Sequence, residues 1–178
     1  MMELGRWFPY IPVHAGPLRT MERAKARECY DDMLRMKDDR IKELTALLEF
    51  NGIEPTFDED GVRTVLEWIK AEVEPDLQDP KSARPYWIGI TFDVFWFAGE
   101  VLRKINPDLK WGFYTGRKTS LVYRSPTLIN LVRTEQAGPL ALFVFLQGFT
   151  GAHAQGIGYN EENIWYAFQR ARELKTAN

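Results

Sequence analysis

A chain of 178 residues with 45% hydrophobic content is of single-domain size and carries enough apolar side chains for a substantial core. Its 23 Lys and Arg against 25 Asp and Glu leave a formal charge of -2, which argues against an overall basic nucleic-acid-binding chain. One cysteine, Cys29, rules out an internal disulfide and any cysteine-based metal cluster.

In chain order, the first nineteen residues mix Pro9, Pro12 and Pro17 with Trp7, Phe8 and Tyr10, a composition that predicts an irregular arm packed by its side chains. From Met21 to Phe50 there is neither Gly nor Pro. Thr20 stands as an N-cap and Asn51-Gly52 as a stop, so the stretch reads as one long helix, or two with a break near Lys37 to Asp39. Met33, Met36, Ile41, Leu44, Leu47 and Leu48 mark its inward stripe. A second helix is expected from Asp58 to Glu74, burying Val62, Val65, Leu66, Ile69 and Val73, and a polar loop from Asp76 to Pro85.

The third helix, Tyr86 to Ile105, is apolar on most sides and therefore belongs at the centre of the fold. After Pro107, strands are expected at Lys110 to Tyr114, Ser120 to Tyr123 and Leu128 to Val132. Pro139 to Phe149 reads as a buried helix or strand, with Leu140, Ala141, Leu142 and Leu146 favouring the helix, Gly148 to Gly158 as a glycine-rich loop, and Glu161 to Thr176 as a final amphipathic helix capped by Asn160. The predicted fold class is α+β: one mostly helical domain over residues 1–178, with a small antiparallel sheet packed on a central apolar helix and residues 1–19 as a docking arm.

Charge is distributed unevenly. Nine acids and two bases lie between Glu54 and Asp79, whereas all five charges between Lys110 and Arg133 are basic. Five cations in an acidic chain are few, so nucleic acid is not the expected partner. The longest uncharged apolar run is about half of the roughly 20 residues a bilayer requires, and no basic segment leads into an apolar one at the N-terminus. A cytoplasmic protein without a membrane partner is expected.

Motifs with known chemistry fail on spacing. Gly112 to Thr119 lacks both the four-residue gap and the Gly-Lys pair of a phosphate-binding loop, and His14 and His153 are too far apart for a helical metal site. No cofactor or metal is expected. Asp93 and Glu100 form the one pair of chemical interest, because seven residues of helix place both carboxylates on one face, about 10 Å apart. As a structural pair they require basic partners, which Lys118 and Arg124 on the following strands would supply. As a catalytic pair they would be the acid and base of a small hydrolase.

The pattern Trp87, Asp93, Gly99-Glu100, Asn106-Pro107, Leu109, Trp111, Gly116, Lys118, Tyr123 and Pro126, with Tyr159 before the last helix, resembles an uncharacterised family of small bacterial proteins. That family is loosely similar, in size and style, to toxin-immunity proteins. The apolar Pro139 to Phe149 segment departs from the more polar link expected of it. The absent catalytic motif, the acidic segment and the aromatic arm favour a protein-binding protein of immunity type over an enzyme, one that neutralises a partner such as a basic toxin domain by complex formation. Glu67, Glu72, Glu74 and Asp76 on the acidic surface, or Trp7 and Tyr10 on the arm, would make the contacts. Two alternatives stand beside it: the hydrolase using Asp93 and Glu100, and a structural homodimer joined through the Pro139 to Phe149 segment and the arm.

Overall fold

The computed structural model describes residues 2–130 and 139–174. Its elements are α1 (Arg23–Phe50), α2 (Glu59–Glu72), α3 (Pro85–Ile105), β1 (Leu109–Phe113), β2 (Pro126–Asn130), α4 (Leu142–Ala154) and α5 (Glu162–Glu173). With five helices and one two-stranded antiparallel sheet among the described residues, the protein is a mostly helical α+β domain.

α3 is the axis. Trp87, Ile90, Val94, Phe95, Trp96, Phe97, Val101 and Leu102 leave almost no surface exposed, and α1, α2, α4, α5 and β1 all pack against this helix. A helix apolar on most sides can only be stable when enclosed in this way. Pro85 opens it at a position where the missing N–H costs nothing, and the exposed flank is confined to residues such as Ile88.

α1 is a single uninterrupted helix, as its lack of Gly and Pro permits. Its cap is Glu22 without a side-chain bond, and the Thr20 hydroxyl instead donates to the Pro17 carbonyl. The stop is at Asn51-Gly52, where Gly52 adopts φ +76° and the Asn51 amide donates to the Leu47 carbonyl. α2 begins at Asp58, whose carboxylate accepts the Gly61 N–H. Gly61 has to be glycine, because a Cβ there would collide with the Thr56 backbone.

β1 and β2 pair from Leu109 opposite Asn130 to Phe113 opposite Pro126. Ser120 to Tyr123, expected as a strand, forms successive turns instead, because Ser120 N and Tyr123 N donate to carbonyls three residues earlier. The expected strand from Leu128 to Val132 begins earlier, at Pro126, and its last two residues lie outside the described residues. The predicted loop at Gly148 to Gly158 is also corrected. α4 continues through Gly148 and Gly151 to Ala154, and Gly148 lets the Tyr159 ring pack against the helix backbone. Leu142, Leu146 and Phe149 are buried in the core, so this part of the segment is not a free homodimer surface. Asn160 accepts the Glu162 N–H ahead of α5, and the Asn106 amide at the end of α3 donates to the Ala171 carbonyl, tying α5 to the axis.

Candidate functional site

The two carboxylates of α3 lie on the face that meets α1, and α1 answers them with two cations on its own buried stripe. Met33, Lys37, Arg40 and Leu44 follow one another at helical spacing and are all buried. Arg40 Nε donates to Asp93 Oδ1 at 2.8 Å, Arg40 Nη2 donates to Oδ2, and Trp7 Nε1 donates to Oδ2 at 2.8 Å. Asp93 has no exposed side-chain surface, and the fork of the guanidinium is the geometry that a fully buried carboxylate requires. Burial pushes the Asp93 carboxyl above its ordinary value, and Arg40 and Trp7 oppose that rise.

Seven residues further on, Glu100 Oε1 accepts from Trp111 Nε1 at 2.6 Å, from Lys37 Nζ at 2.9 Å and from Arg103 Nη1 at 2.9 Å. Burial pushes its carboxyl up, but the indole N–H and the two cations outweigh that and hold it below the ordinary glutamate value. The expected partners, Lys118 and Arg124, are corrected by this geometry. The chain turns back between β1 and β2, and Arg124 donates to the Met21 carbonyl instead of reaching α3. The signal for the true partners was present in α1 as two cations, Lys37 and Arg40, set on an otherwise apolar stripe.

The site is a structural clamp. Catalysis by paired carboxylates needs a solvent-reached acid beside a space for substrate. Asp93 is enclosed and already holds three donors, so no substrate reaches it.

The arm contributes to the clamp. Trp7, expected to meet a partner, is 5% exposed; its indole bonds to Asp93, the Arg40 guanidinium lies 5.6 Å from its ring centroid, and it packs against Gly89. A Cβ at Gly89 would stand 2.9 Å from the Trp7 ring, so glycine is what admits the indole. Tyr10, the second expected contact, donates to Asp32 at 2.6 Å and stacks on Phe92. Both side chains are occupied internally, because an arm without secondary structure docks only through such contacts.

The acidic residues lie elsewhere. Glu67 is exposed and sits 3.6 Å from Lys70, Glu74 pairs with Arg84 at 2.9 Å, and Glu72 is half-buried near the end of α2. Residues 75–84 form a tightly bonded loop. Asp76 N donates to Ser82 O, Arg84 N to Glu74 O, Gln78 N to Asp76 Oδ1, and the Ser82 hydroxyl to Asp79 Oδ2. The loop carries Leu77, a large apolar side chain that is 84% exposed. Sequence reasoning counted these acids but missed Leu77, because nothing local shows that the loop holds this residue outward.

Among the described residues no cluster of His, Cys, Asp and Glu could hold a metal, and no helix is long and apolar enough to cross a membrane. No family model matches the chain, and neither a curated protein nor a solved structure is similar to it.

Proposed function

We propose that the protein is a protein-binding protein that blocks a basic partner by stable complex formation, in the manner of an immunity protein. The observation that carries this reading is Leu77: a large apolar side chain, 84% exposed, on a loop whose backbone is already bonded into place and which carries Asp76 and Asp79 on either side. Tight interfaces use an apolar anchor within a charged rim, and a loop ordered before binding avoids the entropy of ordering it during binding. Exposed Glu67 and half-buried Glu72 and Glu74 extend the negative field along the adjoining end of α2. That field speeds encounter with a basic surface and disfavours acidic ones.

The partner is therefore a protein domain with basic side chains around an apolar pocket. Capture on the tagged protein tests this. The expected result is one stoichiometric basic protein, retained at moderate salt by the unaltered chain and lost with Leu77→Asp. Recovery of the same protein at equal yield with Leu77→Asp, or no stoichiometric protein at all, would reject the reading.

A further inference from the structure

Two basic stretches that are distant in sequence meet at the start of α1. The connection between β1 and β2 carries Arg117, Lys118 and Arg124, and the exit of the arm with the first turn of α1 adds Arg19, Arg23 and Lys25. Two long-range hydrogen bonds join the stretches: Arg19 Nη2 donates to the Lys118 carbonyl at 3.0 Å, and Arg124 Nη1 donates to the Met21 carbonyl. None of the six forms an ion pair with the described residues. Of the acids nearby, Glu28 is bonded by His14 and Asp31 by Arg27, leaving Glu22.

Arg124 is held more firmly than an ordinary surface arginine. It is the one non-glycine with positive φ, +56°, among the described residues; its guanidinium lies 5.1 Å from the Tyr123 ring centroid, and its Nε is buried without a partner. A left-handed arginine persists only where its surroundings over-determine it, and such outliers concentrate at binding sites. A guanidinium stacked on a ring is also pre-organised to meet phosphate.

The geometry points to a binding surface for the phosphate backbone of a nucleic acid strand. Cations outside any ion pair among the described residues, spread over two segments, exceed what one phosphate can use and fit a linear polyanion, even with Arg19 and Arg124 each spending a donor on a backbone carbonyl. Four of the six are arginines, whose fork matches phosphate oxygens. An anionic membrane is served less well, since binding there draws on a broad apolar face and the large exposed apolar side chain in this connection is Leu121. The chain's net negative charge is no obstacle. The basic loop is bonded to the start of α1, and the 17 residue steps of that helix from Arg23 to Arg40, which meets Asp93 on α3, span about 26 Å, several times the roughly 8 Å over which physiological salt screens charge.

Fluorescence anisotropy of a labelled single-stranded DNA of about 20 nucleotides, titrated with the full chain, tests the surface. Binding is expected at about 50 mM salt and is expected to weaken about 50-fold at about 200 mM, as four neutralised phosphates on a single strand require. Arg117→Glu combined with Lys118→Glu is expected to weaken it at least about tenfold with an unchanged circular dichroism spectrum, and Glu67→Gln is expected to leave it unaltered. Arg19→Glu provides an independent second variant. Three results would overturn the assignment: no binding at low salt by the folded protein, equal binding by the charge-reversed variants, or tighter attachment to phosphatidylserine vesicles than to the oligonucleotide.

Discussion

Arg40 and Asp93 are each costly to bury alone and tolerable only together, which makes them the most sensitive side chains in the molecule. Arg40→Met leaves the Asp93 charge enclosed with only the Trp7 indole, and should cost about 3–5 kcal/mol of stability in denaturant unfolding. The double variant Arg40→Met with Asp93→Leu removes both charges and should recover most of that loss, a non-additivity that a double-mutant cycle would read directly. Glu100 gives a pH signature. Its folded-state carboxyl titrates below the ordinary value of 4.5, so its contribution is fully present above that pH and is lost as the pH falls through the folded value. Glu100→Gln should therefore destabilise by about 2 kcal/mol at neutral pH, and thermal melts should show the gap closing below about pH 4.5.

Among the elements, the arm most clearly trades its own order for tertiary contacts. Residues 2–22 have no helix or strand, yet Trp7 fills a slot over Gly89, and Asn51 bonds the Glu3 backbone through both its amide and its carbonyl oxygen. Gly89→Ala should push the indole outward and cost about 1–3 kcal/mol by equilibrium unfolding, because overpacking displaces a ring that also bonds Asp93. The helices were largely legible in the sequence. Their apolar spacing, the Asp58 cap and the Asn51-Gly52 stop are local signals, and local signals are read locally. The turns at Ser120 to Tyr123 and the continuation of α4 through Gly148 were not. A short run of apolar and β-branched residues suits a strand or a turn equally, and glycine inside a helix is tolerated once neighbouring packing outweighs its propensity.

At the largest scale, the Leu77 loop and the Arg117 loop are anchored at different places in the fold. The Leu77 loop is bonded between the end of α2 and the start of α3, whereas the Arg117 loop is bonded to the chain entering α1 through Arg19 and Arg124. Leu77→Asp should therefore leave unfolding free energy within about 0.5 kcal/mol while abolishing capture of the proposed partner, because an exposed loop side chain contributes little to folding.

Local signals suffice to place α1, α2, α3 and α5, to put α3 at the centre, and to set the α+β class and the polarity of the two charged segments. These follow from periodicity, capping residues and composition, which act over a few turns of chain. The packing of distant segments sets the rest: Asp93 and Glu100 pair with Arg40 and Lys37, Trp7 and Tyr10 face inward, Leu77 faces outward, and the chain from Arg19 to Met21 is bonded to the loop between β1 and β2. Each of those outcomes depends on which surfaces meet when α1 packs antiparallel to α3. The buried charge must then take the nearest partner that geometry allows, and sequence separation carries no information about that distance.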